Sequence, residues 1–371
     1  MKKLGILGGG QLGKMIIPHA HRLDFDVTIL DSANAVCSGL THHHIVGDFK
    51  SSEDVKKLVH QDVVTVEIEH ISIEGLKYLE ANAVRVAPSS HVLEIIQDKG
   101  LQKKFLKENK IPTSDFEIKR LSQTDIPGDQ VVVKLCRGGY DGRGVWVPKA
   151  DEMTPAGFAT EVVVEKKVAI EKEISVLVAR SARGEIAIYD VVEMLLDSRL
   201  NLMDSTFSPA RIDSSLAVQA KELAQKVIEK IEMIGLMAVE MFISKEGKLL
   251  INELAPRVHN SGHFSIEACY TDQFEQHLRA ISNLPIGNPA LRESGMTVNL
   301  IGASGFSGET VVEGLDKVMG LKNVYPHLYG KMDCRPGRKM GHVTILGDFE
   351  YCMKTKEEVL KWLVVRGKEK L

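Results

Sequence analysis

The sequence predicts an α/β chain, α+β in parts, in which a doubly wound parallel sheet precedes a β-rich centre and a small β-rich C-terminal unit. Three observations predict it. Short apolar runs alternate with helix-period patterns up to Ala81, apolar runs separated by glycine or charge fill residues 131–193, and Gly-Pro punctuation marks the tail. At 371 residues the chain also exceeds the roughly 250–300 at which a single core stops growing, so two or three units are expected.

Residues 4–7 are an apolar run, followed by Gly8-Gly9-Gly10-Gln11-Leu12-Gly13 and then by Met15, Ile16, Ile17 and Ala20 at helical spacing. That pattern reads as strand, glycine turn, helix. Val27–Leu30, which runs into Asp31, and Val63–Ile68 are further strands, and Ile73, Leu76, Leu79 and Ala81 mark a helix. Pro88-Ser89-Ser90 closes the unit, and a charged helix from Asp98 to Lys107, ending before Pro112, opens the next. Val131–Leu135, Val162–Glu165, Ile174–Ala179 and Ile186–Val192 suggest an antiparallel sheet. Leu216, Ala220, Leu223, Val227, Ile228 and Ile231 share one face of a helix over 214–234, with Gly235 as its stop. The units expected are 1–97, 98–292 with a flexible lid at about 121–193, and 293–371.

Composition excludes several classes. A net charge of −3 with 26% charged residues gives no dominant attraction to nucleic acid or to an anionic membrane surface. No apolar run approaches the ~20 residues of a membrane span, and Met1-Lys2-Lys3 enters a glycine turn too soon to be a signal peptide. Cys37, Cys136, Cys269, Cys334 and Cys352 are odd in number and lack C-x-x-C spacing, which suits reduced thiols in a cytoplasmic protein. His42-His43-His44 lies on an extended segment whose side chains alternate faces, so the three cannot converge on one ion and are expected at the surface.

Five stretches carry chemistry. Gly8-x-Gly10-x-x-Gly13 lies between strand and helix, where glycines let an anion approach and free amides face it; a tight turn with no ligand is the alternative. Lys134 ends an apolar strand, and four glycines among residues 138–144, interleaved with Arg137 and Arg143, suit a cationic flap over a polyphosphate better than a plain hairpin. Met237–Ile243 and Lys248–Glu253 flank Ser244-Lys245-Glu246-Gly247, a hairpin signal, and a turn centred between Glu246 and Gly247 sets Glu240 opposite Glu253. Like charges paired across strands are destabilising unless a divalent cation lies between them, and two hard oxygen ligands suit magnesium. Asn252 to His263 follows at once, with an arginine, two histidines and amide donors placed to stabilise an anionic intermediate. Arg335-Pro336-Gly337-Arg338-Lys339 is a compact basic turn suited to a phosphate monoester, or else a solvated loop.

Together these motifs resemble N5-carboxyaminoimidazole ribonucleotide synthetases, from Gly5 to about Leu346; the strongest passages are Gly8–Gly13, Gly138–Gly144, Asn252–His263 and Arg335–His342. The resemblance implies a three-part ATP-grasp fold that carboxylates an aminoimidazole ribonucleotide with ATP and bicarbonate by way of carboxyphosphate. It implies Lys99, Lys134, Asn252 and Glu253 at ATP, with Gly139, Tyr140, Asp141, Gly142, Arg143 and Gly144 closing over the phosphates. Glu165 and the backbone near Val168 resemble the adenine hinge and Glu173 the ribose ligand, while Glu240 and Glu253 match the magnesium carboxylates, with manganese as an alternative ion. Arg257, His259 and Asn260 would hold bicarbonate and, with Asp141 and Lys339, form the catalytic set. Gln11, Leu12, Arg335, Arg338 and Lys339 would grip the ribonucleotide phosphate, and Tyr140, Asp141 and Glu67 its imidazole end. The family usually forms homodimers.

Three positions depart from the wider pattern: Glu193-Met194-Leu195-Leu196 replaces Glu-Asn-x-His, Lys99 stands where some members have arginine, and Ala255 stands where the superfamily often has asparagine. A nicotinamide-dependent oxidoreductase would explain the glycine fingerprint and Asp31 but neither the flap nor the paired glutamates. A formate-dependent glycinamide ribonucleotide transformylase tends to carry glutamate where Gln11 stands, and a biotin carboxylase is longer. A catalytically idle binding module would leave Glu240 and Glu253 unused.

Overall fold

The computed structural model describes residues 2–139, 144–197 and 202–370. The first apolar run forms β1 (Lys2–Leu7), the glycine turn leads into α1 (Gln11–Arg22), and β2 (Phe25–Asp31), β3 (His43–Val46), α2 (Ser52–Lys56), β4 (Val63–Val66), α3 (Ile73–Ala81) and β5 (Arg85–Val86) follow. The strands are all parallel, in the order β3-β2-β1-β4-β5. Parallel neighbours need a crossover, and the alternating helices supply it on both faces. Ile16, Ile17 and Ala20 of α1 pack with Ile6 and Val27, and Leu76 and Leu79 of α3 pack with Leu7, Leu30, Val64 and Val66. β4 stops at Val66, short of the expected Ile68, because Glu67 turns aside to accept hydrogen bonds from the glycine turn.

After α4 (Ser90–Ile96) and α5 (Lys99–Glu108), a four-stranded antiparallel sheet forms from β6 (Phe116–Arg120), β7 (Val131–Leu135), β8 (Val145–Trp146) and β9 (Glu161–Lys166). The chain then leaves that sheet. β10 (Ile170–Arg180), β11 (Ile186–Ile188), β12 (Val192–Asp197), β13 (Leu202–Ser208), β14 (Gly235–Ser244) and β15 (Leu249–Ala255) belong to a nine-stranded sheet, with α6 (Ser214–Lys230) between β13 and β14. The sheet expected over 131–193 is therefore two sheets, and a lid drawn at 121–193 straddles both. Packing separates them: Val133, Val162 and Val164 bury against Leu121, whereas Ile174, Val176 and Val178 bury against Ala220, Ala224 and Val227 of α6. The run Ile186–Val192 is likewise broken, with buried Tyr189 between β11 and β12. α6 ends at Lys230 rather than 234, because Glu232 takes a left-handed φ of 55°, and Gly235, at φ 113°, opens β14.

The remaining elements are α7 (Ser265–Ala268), α8 (Gln273–Ile281), β16 (Gly295–Ile301), β17 (Phe306–Glu313), α9 (Leu315–Met319), β18 (Val324–Leu328), β19 (Asp333–Cys334), β20 (Lys339–Leu346), α10 (Phe349–Trp362) and β21 (Val364–Lys370). The large sheet runs β15-β14-β10-β12-β13-β16-β20-β18 with β11 on β10, and β19-β17-β21 form a small separate sheet. Because β16 pairs with β13, the C-terminal residues extend the central sheet across the boundary drawn at 293. All five cysteines are buried with free thiols, and no described helix is long and apolar enough to cross a membrane. His43 is exposed and ion-pairs with Asp26, while His44 is half-buried and bonds the Asp31 carbonyl, so the histidine run does diverge.

Candidate active site

Glu240 on β14 and Glu253 on β15 are cross-strand partners. The turn alone does not make them so. Met241, Phe242 and Ile243 pair with Ile251, Leu250 and Leu249, a register that would bring Asn252 opposite Glu240; a bulge shifts it by one and brings Glu253 there instead. Ser244 N–H donates to the Lys248 carbonyl, so the turn is centred on Glu246 rather than between Glu246 and Gly247 as the sequence suggested. On the other side of β14, Ser175 of β10 pairs with Glu240, which places Glu173 on the same face of the sheet.

Burial, with Glu253 and Glu173 nearby, pushes the Glu240 carboxyl up to about 8, against the opposing pull of Lys99. Burial also raises Glu173. Glu253 is more open and holds Lys99 Nζ at 2.5 Å, while His259 Nε2 lies 3.5 Å from Glu240 Oε1. Among the described residues no group of three or more His, Cys, Asp or Glu side chains is arranged to hold a metal. The carboxylate pair is the available donor set.

Lys134, at the end of β7, reaches Glu165 Oε1 at 2.9 Å and donates to Asn252 Oδ1 at 3.0 Å. Lys103, which sequence reasoning missed, lies one helical turn beyond Lys99 on α5 and, only 3% exposed, contacts Glu165 Oε2 at 2.9 Å. Burial by itself would raise Glu165, but Lys134 and Lys103 hold it at about 2; burial in turn lowers Lys103 to about 8. The Glu165 side chain is thus an internal anchor for two lysines, and Val168, further along the chain, is half-buried. Tyr140, Asp141, Gly142 and Arg143 lie outside the described residues; Gly139 and Gly144 flank them, and the Gly144 carbonyl accepts from Leu135 N–H.

Past β15, Arg257 ion-pairs with Glu69 at 2.8 Å, and His259 Nδ1 meets Ser261 Oγ at 2.9 Å. Burial first, and then Arg257, Lys339 and His263, keep His259 well below the usual imidazole range. Asn260 Oδ1 lies 3.0 Å from His263 Nε2 and 3.5 Å from Gln11 Nε2.

The glycine turn corrects an expectation. Three of its glycine amides are engaged within the chain: Gly9 donates to Asp31 Oδ2 at 2.6 Å, and Gly10 and Gly13 donate to the two oxygens of Glu67 at 2.5 Å each. A Cβ on Gly10 would lie 2.5 Å from Glu67 Oε1, so glycine here accommodates a carboxylate of the protein itself. Glu67, expected at the imidazole end, has both oxygens in this turn. Leu12 buries its side chain in the core and has only main-chain groups to offer a ligand. Gln11 does face the basic turn, and its Oε1 accepts from Lys331 Nζ at 2.7 Å, which also donates to the Lys339 carbonyl at 2.5 Å. Arg335 is exposed and Arg338 donates to the Asp333 carbonyl at 2.6 Å. Lys331 was missed because a single lysine outside the basic run carries no local signal.

The chain matches the ribonucleotide synthetase preATP-grasp domain over residues 1–97, the ATP-grasp domain over 104–274 and the phosphoribosylaminoimidazole carboxylase C-terminal domain over 295–355. The crystal structure of N5-carboxyaminoimidazole ribonucleotide synthetase from Thermotoga maritima is 40% identical, with a TM-score of 0.89 over 99% of this chain and 100% of that one. The chain belongs to the N5-carboxyaminoimidazole ribonucleotide synthetase family. The fold is ATP-grasp, with the parallel sheet preceding the antiparallel ones. A synthetase of Aspergillus clavatus, solved in complex with ADP and 5-aminoimidazole ribonucleotide, is 29% identical with a TM-score of 0.86 and covers 97% of this chain and 98% of its own. The phosphoribosylaminoimidazole carboxylase of Saccharomyces cerevisiae is 36% identical over 365 residues, and the match covers 93% of this chain but 63% of that protein. The chain therefore spans less than two thirds of the length of that fungal carboxylase.

Proposed function

We propose that this chain carboxylates 5-aminoimidazole ribonucleotide to N5-carboxyaminoimidazole ribonucleotide, using ATP and bicarbonate and releasing ADP and phosphate, as a step of purine synthesis. The observation that carries the reading is the Glu240–Glu253 pair, flanked by Lys99 on one carboxylate and His259 on the other. A buried carboxylate pushed to about 8 beside a second one fits a hard divalent cation, so Glu240 and Glu253 would hold magnesium, with manganese as an alternative. When bound, the ion neutralises charge on the transferring phosphoryl group.

Bicarbonate oxygen takes the γ-phosphoryl group as the bond to ADP breaks, and the resulting carboxyphosphate gives its carboxyl group, or carbon dioxide released from it, to the exocyclic amine as phosphate departs. Lys99 and Lys134 stabilise the phosphates, the main chain near Val168 binds adenine, Glu173 binds ribose, and the segment from Gly139 to Gly144 covers the site. Arg257, His259 and Asn260 hold bicarbonate; His259, kept neutral by burial, adds no charge that would tie the anion down. Gln11, Arg335, Arg338 and Lys339 grip the ribonucleotide phosphate, joined by Lys331, while Tyr140 and Asp141 address the imidazole. Glu67 addresses the imidazole end with them and also fixes the turn that presents Gln11. The working units are 1–97, 98–292 and 293–371 of a cytoplasmic homodimer acting on small molecules.

The test is ADP release measured with and without aminoimidazole ribonucleotide and bicarbonate. Release that needs both supports the reading, and release indifferent to both overturns it. Glu253→Gln is expected to abolish turnover while leaving the thermal midpoint within a few degrees; wild-type turnover in that variant removes the metal assignment.

A further inference from the structure

Asn260 offers an anion either a carboxamide oxygen, which repels it, or an NH2 group, which binds it. Which one it presents is settled away from the site. Gln273, the first residue of α8, is held at both ends of its amide by one residue: His259 N–H donates to Oε1 at 2.8 Å, and Nε2 donates to the His259 carbonyl at 2.9 Å. A main-chain N–H only donates and a carbonyl only accepts, so the amide cannot be reversed. Gly262 makes room for it, since a Cβ there would lie 2.5 Å from Gln273 Oε1.

The second Nε2 hydrogen of Gln273 points to His263 Nδ1 at 3.0 Å, so Nδ1 is the acceptor and carries no proton. Burial, followed by the charges of His327, Lys339 and Arg257, lowers His263 to about 3 and keeps the ring neutral. The ring proton then sits on Nε2, which lies 3.0 Å from Asn260 Oδ1. A second donor reaches the same oxygen by an independent route: Lys331 holds Gln11 by its Oε1, which turns Gln11 Nε2 toward Asn260 Oδ1 at 3.5 Å.

We propose that Gln273 and His263 are positioning residues that hold Asn260 with its oxygen turned into the protein and its NH2 group turned toward the bicarbonate-derived anion. The proposal rests on Asn260 being a bicarbonate residue, as in the function proposed above. It adds that two residues remote from the substrate set the polarity of that contact, and that the Gln11 arm ties it to the ribonucleotide pocket.

The test combines tautomer and kinetics in the full-length chain. In 15N-histidine spectra, with the His263 signals assigned by their loss in His263→Gln, the wild type is expected to show the neutral Nε2–H tautomer; an Nδ1–H tautomer or an imidazolium at neutral pH overturns the proposal. Gln273→Met removes the donor to Nδ1, and the bicarbonate KM is then expected to rise about tenfold while the ATP KM stays within about twofold. An unchanged bicarbonate KM, or equal rises for all substrates, overturns it. If that variant does not fold, the wild-type tautomer decides, together with Asn260→Asp, whose bicarbonate KM is expected to rise in a folded chain. Failure of the functional reading shows separately, as wild-type ADP release that ignores bicarbonate.

Discussion

Glu165 stands between Lys134 and Lys103 with 5% of its side chain exposed, and its charge is what makes two lysines tolerable at that depth. Replacing it by glutamine removes the carboxylate that both cations contact, which costs about 3–5 kcal/mol when a buried pair is broken. The pH dependence has a definite sign. Burial opposes ionisation, but the lysines hold the carboxyl at about 2, below its ordinary 4.5, so the stabilisation is full above about 4.5 and is lost as pH falls toward 2. Urea denaturation of wild type and Glu165→Gln is therefore expected to show a gap that narrows through that window, and a constant gap would contradict the ion-pair account. At this scale the sequence was legible where chemistry is concentrated in a run, as in Asn252 to His263. It was silent about Lys331 and Gln273, which act through partners far away in the chain: Lys331 and Gln11 are separated by 320 positions.

Among the elements, the strand–turn–helix of β1 and α1 carries the clearest lesson. The glycines that read as a phosphate cradle instead admit the Glu67 carboxylate, which accepts from Gly10 and Gly13. Burial raises this carboxyl while the two amides lower it, so the acid and its donors depend on one another. Glu67→Gln keeps one acceptor and turns a donor toward the second amide, and a loss of about 1–3 kcal/mol in urea denaturation is expected, with no change in m. No loss would mean that the turn holds its shape unaided. Glycine spacing reports that something anionic approaches; it cannot say whether that anion belongs to a ligand or to the chain. The hairpin shows the same limit, since the Asn252 bulge that aligns Glu240 with Glu253 is invisible to a count from the turn. The parallel sheet was legible because alternation is local, whereas the four-stranded and nine-stranded sheets share one strand pattern and are told apart only by packing, against Leu121 in one and against α6 in the other.

For the whole molecule, the decisive feature is the continuity of the nine-stranded sheet from β15 to β18. Phe207 pairs with Met296, and Lys356 of α10 ion-pairs with Asp204 of β13, so residues beyond 293 complete a sheet begun in the middle of the chain. Separate domains would melt separately. A shared sheet predicts a single calorimetric transition for the full chain, and truncation after residue 292 is expected to expose the β13 edge and abolish that transition. Two resolved transitions in the intact protein would refute the coupling.

All five thiols lie out of reach of solvent. The folded protein therefore presents alkylating reagents with an almost blank background. A cysteine introduced at exposed Lys149 would carry a fluorophore at one known place, and any response of its surroundings to added ATP could be read from its emission without first stripping the chain of its native sulfur.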